Sequence, residues 1–385
     1  MTVHTLRIAA VGAAVAAAAT LFAGPAAFAN SYAPRHADPA RTDSGAVFVQ
    51  SDNTAANTVV AYHRSAEGTL TRRGVYGTGG RGGVLEGSVV DHLAAQGSLA
   101  YDRAAGLLYA VNAGSDTLTV FSVHGDRLHW RQTVPTRGDF PVSVTFHNDR
   151  VWVLNALGGG SVQGFVRVGQ RLAGVDSWHR GLGLDPDAAP QFTHTPGQIS
   201  FTPDGSKLVV TTKAGANTID VFALDHRGAP AAHPVVTATP DAVPFGFTFD
   251  PAGRLQVTEA GPNAVETFAL HRDGTLTSLG RVATGQSATC WIVATDSGVY
   301  ASNAGSGTLS GYHVRPDGTL TPLGATATDP GTVDVALSPD GRNLYAQTGA
   351  QGVVDEFRVG HDGSLTQIGS VTVPGAVGGE GITAG

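Results

Sequence analysis

An all-β fold, a seven-bladed propeller with four-stranded blades, is predicted by three observations on the sequence. First, an aromatic residue preceded by a strand-like stretch recurs at Tyr62, Phe121, Phe165, Phe222, Phe268, Tyr312 and Phe357, spaced by 59, 44, 57, 46, 44 and 45 residues. Seven copies of about 45 residues suit a ring of small four-stranded sheets. Second, Pro-Asp-Gly and Asp-Gly turns separate alternating apolar runs, as at Thr202-Pro203-Asp204-Gly205, Asp273-Gly274, Asp317-Gly318 and Ser338-Pro339-Asp340-Gly341. Such turns need Gly, Asn or Asp at positive φ and mark hairpins. Third, helical periodicity is absent beyond the first residues.

The repeats begin after a distinct leader. Arg7 precedes an Ala/Val-rich run from Ile8 to Gly24, then Pro25 and Ala27-Phe28-Ala29. This order of basic, apolar and small residues reads as a secretory signal over residues 1–29, which makes the mature chain a secreted, extracellular protein. A membrane anchor would need roughly 20 strongly apolar residues, and this run is shorter and built of alanine. Residues 30–45 read as a disordered extension, and 46–385 as one propeller.

No later stretch is apolar enough to span a bilayer, so a soluble protein, read here as a monomer, is expected. Without Arg7 the chain carries 23 basic against 31 acidic side chains, a net charge of −8, with lysines only at 207 and 213. Nucleic acid and anionic membrane are therefore poor partners. The single cysteine, Cys290, cannot form an intramolecular disulfide, and its neighbours Ala288 to Val293 read as a buried strand.

The last repeat shows the blade anatomy in full. Val333 to Leu337 is an inner strand, Asn343 to Ala346 a second, Val353 to Val359 a third, and a fourth starts at Ser364. The first repeat has only Ala46–Gln50, Thr58–His63 and Thr69–Tyr76, which are second to fourth strands. Its inner strand is expected from Glu380 to Ala384, so that the C-terminal strand closes the ring in the first blade and removes open sheet edges.

In a propeller the second-to-third-strand loops and the blade connections open on one face. Alignment on the third strands places Asn53, Asn112, Asn155, Lys213, Glu259, Asn303 and Gln347 at the ends of the second strands. An Asn before a Gly turn usually serves its own backbone. Lys213 and Glu259 break the amide pattern with opposite charges in adjacent blades, and are expected to meet as an acid/base pair or a structural ion pair. One turn deeper, Ser98, Ser143, Gln198, Trp291 and Asp334 form a polar ring with one aromatic wall.

Two long connections, Gly77 to Gly97 and Gly174 to Pro196, are read as a lid or rim over the channel mouth, or as disordered surface loops; the second carries His179, Arg180 and His194. The predicted catalytic set is Glu259, Lys213 and His194. The predicted substrate-binding set is Gln96, Asn112, Asn155, Gln198, Trp291, Asn303, Asp334, His179 and Arg180. Metal-ligand, phosphate-loop and Gly-x-Ser-x-Gly spacings are missing, and no metal or cofactor is expected.

The stretches VNAGSDTLTVFSV (111–123), FTPDGSKLVVTTKAGANTIDVF (201–222) and LSPDGRNLYAQTGAQGVVDEF (337–357) resemble the lactonase-like seven-bladed propellers, which include propeller-type 6-phosphogluconolactonase and carboxymuconate-lactonizing enzyme. Ala95-Gln96-Gly97, Pro244 to Phe249 and Cys290-Trp291 resemble an exported actinobacterial subgroup. The resemblance spans about residues 46–385 and implies Glu, Arg and His at the reacting centre. Glu259 matches the Glu, whereas Phe245 and Gly246 stand at the Arg and His positions, and Thr195 to Gln198 offers no second His.

Two functions follow. One is an exported lactonase-like hydrolase or isomerase of a small polar substrate at the channel mouth, with Glu259 as acid/base, Lys213 as electrostatic partner and His194 or His179 from the lid. The other is a non-catalytic propeller that holds a small ligand, a glycan or a protein on the same face.

Overall fold

The computed structural model describes residues 45–385; the segments read as signal and, apart from Gly45, as extension lie outside them. The described chain forms seven antiparallel sheets of four strands, and in blades 2 to 7 the four strands are consecutive in sequence and paired in order. The inner strands of blades 2 to 7 are Leu99–Asp102, Pro141–His147, Pro196–Phe201, Pro244–Phe249, Thr289–Ala294 and Thr332–Leu337. Helix among the described residues is confined to one α-turn, Gln191–His194, and a 3₁₀ turn, Ala113–Ser115. No helix among them is long and apolar enough to cross a membrane.

The recurrent aromatic has a structural cause. Between the third and fourth strands the register slips immediately before Tyr62, Phe121, Phe268, Tyr312 and Phe357. A bulge at that point adds twist to the sheet and re-aims the next side chain. All five aromatics are buried between blades. In five of the seven blades the repeat seen in the sequence is thus the repeat of a bulge and the ring that packs beside it.

The C-terminal strand closes blade 1 as expected. Ile382–Ala384 pairs antiparallel with Gly45–Gln50, Val49 opposite Ile382 and Val47 opposite Ala384. Gly385 and Ala46 exchange two further backbone bonds at 2.7 and 3.2 Å. This edge-to-edge joint closes the ring where the first and last described strands meet.

Candidate functional site

The connection from Gly77 to Gly97 is not a disordered loop: with Val84 and Val89 left exposed at its rim, it packs from Leu85 to Gln96 as a plug against the inner strands of the blades. Leu85, Leu93 and Ala95 are fully buried and belong to the largest apolar cluster, with side chains from blades 2 to 7. Asp91 shapes the tip by accepting hydrogen bonds from the backbone N–H of Leu93 (2.9 Å) and Ala95 (3.2 Å). This is the local side-chain-to-backbone bonding that Asp supports in turns.

Polar bonds dock this plug on several blades. Ser143 Oγ donates to the Gln96 carbonyl at 2.7 Å, and Gln96 N donates to the Gly197 carbonyl at 3.0 Å. The Gln96 side chain accepts from Ile292 N (3.0 Å) and donates to Ile292 O (2.8 Å), copying a strand neighbour. Trp291 Nε1 donates to Ala95 O at 2.6 Å, and Lys213 Nζ to Ala94 O at 2.5 Å. A Cβ on Gly246 would overlap Gln96 Oε1 and lie 2.7 Å from the Cys290 carbonyl oxygen. The glycine at the position where the resemblance implies a His therefore makes room for the plug.

Beneath the plug four carboxylates are buried: Asp52 from blade 1, Asp91 from the plug, Asp334 from blade 7 and Glu380 from the closing segment. Asp52 accepts from Gln50 Nε2 (2.5 Å) and Glu380 N (2.8 Å); Asp334 accepts from Val335 N (2.9 Å) and Ile382 N (3.3 Å). Burial pushes Asp52, Asp91 and Asp334 up to about 7, and burial together with the three aspartates beside it holds Glu380 well above the usual carboxylate range. Lys213 is the cation of this region, 1 % exposed, with Nζ 5.1 Å from the Phe245 ring centroid. Burial lowers it to about 7, against the pull of Asp91, Cys290 and Glu380. One amine cannot balance four carboxylates in a medium this poor in water, so the cluster stores protons at neutral pH.

A cavity of about 270 Å³ opens beside this cluster, between the plug, the 190s segment and blades 5 and 6. Its wall is Val89, Val90, Ala94, Phe192, Phe245, Ala288, Trp291, Ala304 and Gly305, with Asp91 and Cys290 as the ionisable groups. Phe245 and Trp291 meet edge to face at 5.0 Å. Burial raises the Cys290 thiol to about 12, away from the range in which a thiolate nucleophile forms.

The expected Lys213–Glu259 pair does not form. Lys213 points into the plug, whereas Glu259 lies on the flank of blade 5 and binds Arg281, with Oε2 2.5 Å from Nε. Arg281 also holds Glu266 at 2.8 Å. Burial and then Glu266 raise Glu259 to about 8, with Arg281 opposing.

The amides are engaged in structure. Asn112 bonds Asn57, Thr117 and Thr119; Asn155 bonds Ser161 and the Thr136 carbonyl; Asn303 bonds Thr289, Thr308 and Ser310. Gln198 accepts from Phe247 N at 2.6 Å, joining blades 4 and 5. Of the predicted binding set, Trp291 lines the cavity itself and Gln96 anchors the plug beside it.

His179 and Arg180 do not rise over the mouth, because the outer strand of blade 3 continues through Arg171–Gly181. Arg180 instead ties that strand to the Pro230 and Ala231 carbonyls of blade 4. His194 ends the short helix, its Nδ1 2.9 Å from Thr193 Oγ1 and 3.0 Å from Pro190 O, and faces a separate surface recess with Asp185 and Gly215. Asp91 and Phe192 lie in aperiodic connections that alignment of blades does not reach, and Phe245 is singled out in the sequence only as the residue at the expected Arg position.

Residues 256–377 match the family model for the lactonase seven-bladed β-propeller. Solved structures match over nearly the whole ring. A candidate 6-phosphogluconolactonase of Bacteroides fragilis superposes with a TM-score of 0.71 at 20 % identity, over 90 % of this chain and 99 % of its own. The periplasmic gluconolactonase PpgL of Pseudomonas aeruginosa gives 0.72 at 18 % identity, over 89 % and 99 %. Virginiamycin B lyase of Staphylococcus aureus gives 0.53 at 13 % identity, over 75 % and 88 %. At these identities the likeness is one of fold. No curated protein matches the chain.

Proposed function

We propose that this chain is a lactonase-type hydrolase whose site is the cavity between the plug and blades 5 and 6, and that it acts outside the cytoplasm as a monomer without a cofactor. The observation that carries the reading is Asp91, a carboxylate held near 7 in the wall of an aromatic-lined cavity, with Lys213 close behind it. A perturbed acid with a specific charge partner in a cleft marks a site of proton transfer. The lactonase match over residues 256–377 covers Cys290, Trp291, Ala304 and Gly305 of that wall and supplies the reaction class. The leader sequence over residues 1–29 supports the location.

In this reading the Asp91 carboxylate takes a proton from water as its oxygen attacks the lactone carbonyl. The acyl carbon to ring-oxygen bond then breaks, and the proton returns from Asp91 to the departing alkoxide. Lys213 acts through Asp91 as a positioning residue: its charge sets the fraction of Asp91 that is ionised. Rate therefore rises with pH through about 7.

The plug packed against the inner strands and the Glu259–Arg281 ion pair favour a second reading, a propeller that binds a ligand at this cavity and does not turn it over. Hydrolysis of a panel of aldonolactones, carboxymuconolactone and aliphatic lactones, with Asp91→Asn and Glu259→Gln alongside, separates the two. Turnover lost in Asp91→Asn and kept in Glu259→Gln is the expected result. A flat panel would leave the binding reading, and loss in Glu259→Gln alone would move the site to the flank of blade 5.

A further inference from the structure

We propose that the cavity selects an apolar cyclic ligand of on the order of ten non-hydrogen atoms, such as an alkyl-substituted lactone, and rejects polyhydroxylated and phosphorylated sugar lactones. The ester part of this statement rests on the hydrolase reading; the choice of an apolar ring rests on the wall alone.

Three observations carry it. The wall is made of Val89, Val90, Phe192, Phe245, Trp291 and small residues, with no Arg, Lys or His among the lining groups. A sugar lactone brings several hydroxyls, and each one buried without a partner is penalised by its lost hydration. The polar groups near the wall are few: Trp291 Nε1 is committed to Ala95 O, and Asp91, which already accepts two backbone N–H bonds, is the one carboxylate among the lining residues, too small a set for several hydroxyls. A phosphate would also enter beside the Asp91 carboxylate with no cation in the wall to receive it.

Size points the same way. An apolar cavity of roughly 150 Å³ holds one benzene. The 270 Å³ here suits a ring with a short alkyl chain. Val89, 84 % exposed, stands at the rim and leaves a route in from solvent.

The test uses 2-alkylcyclopentanones, ring ketones that cannot be hydrolysed, so that binding is read apart from turnover. Calorimetric titration with the methyl, propyl, pentyl and octyl members should show affinity rising about fourfold per methylene, the factor that burial of one CH₂ supplies. The rise should stop between pentyl and octyl as the cavity fills. Ala304→Phe, which fills the wall, should weaken the pentyl ketone at least tenfold; Val89→Trp, at the exposed rim, should slow entry without unfolding the chain.

Ketone binding with this length dependence and no lactone turnover would uphold the cavity assignment and sink the hydrolase reading. Turnover of gluconolactone with no ketone binding would overturn the apolar assignment and leave the hydrolase reading standing. Equal affinity across the ketone series, or full affinity in Ala304→Phe, would also overturn it.

Discussion

Glu259 is the last residue of its second strand and Lys213 the first residue beyond the second strand of the neighbouring blade, and Lys213 turns toward the plug while Glu259 turns onto a blade flank. The difference is one residue of register. Phe268 pairs with Leu255, and Glu259 lies four residues further on; Phe222 pairs with Leu208, and four residues on lies Thr212, not Lys213. By the same count Asn112, Asn155 and Asn303 are in phase with Glu259. A slip of one position sends a side chain to the opposite face of a strand. Two ionisable groups that look equivalent along the sequence therefore inhabit different chemistry: Lys213 is buried close to carboxyl groups that burial raises, and Glu259 shares a half-exposed Arg281 with Glu266.

The sharpest way to break this contrast is kinetic. Asp91→Asn should lower turnover of any lactone substrate by about 10²–10⁴, the usual weight of a general base, while Glu259→Gln should stay within a few-fold of the parent. Steady-state rates for the two variants decide which side holds the reaction. Next in size is the plug: Gly246→Val should destabilise the fold by about 1–3 kcal/mol through overpacking against Gln96 and the Cys290 carbonyl. Denaturant unfolding measures this, and a neutral outcome would mean that the plug yields freely.

The pH dependence of stability comes third. Asp52 and Asp334 have folded values raised from 3.8 to about 7, so the folded state holds protons that the unfolded chain has released. Their stabilisation is complete below about pH 4 and is lost as pH rises through about 7. Lys213, lowered from 10.5 to about 7, works in the other direction and restores stability between about pH 7 and 10.5. The melting temperature should therefore dip near neutrality, and Asp334→Asn should fill in the dip by on the order of 1 kcal/mol at pH 7.5. A curve that rises steadily from pH 4 to 7 would show the carboxylates to be ionised throughout. The smallest effect belongs to the flank: Arg281 is 44 % exposed at its side chain, so Arg281→Gln should cost no more than about 1 kcal/mol in a denaturant titration.

The ring was legible in the sequence because its cause repeats. Five bulges between third and fourth strands each precede a buried aromatic, several hairpins carry an Asp-Gly or Pro-Asp-Gly, and the missing inner strand of blade 1 reappears as Ile382–Ala384. The site was far less legible, because nothing in it repeats. Asp52, Asp91, Asp334 and Glu380 are gathered from four separate segments, and Leu85 and Leu93 sit in a Gly-rich stretch with no strand or helix period to show that they are core. Trp291 was found because it lies on an inner strand. Phe245 and Gly246 were noticed as departures from the expected Arg and His, but only the plug explains why a small residue and a ring belong there.

The closing segment has a consequence for the order in which the molecule can be assembled. Glu380 N–H holds Asp52, Ile382 N–H holds Asp334, and the Gly378 carbonyl receives His92 N–H of the plug at 2.8 Å. During synthesis the plug emerges almost three hundred residues before these partners, and before the blade 5 and 6 walls that cover Leu93 and Ala95. Contacts of such sequence separation form late and slowly. The apolar face of the plug therefore lacks part of its cover until blades 5 to 7 are present, so plug docking and ring closure belong to one late step of folding.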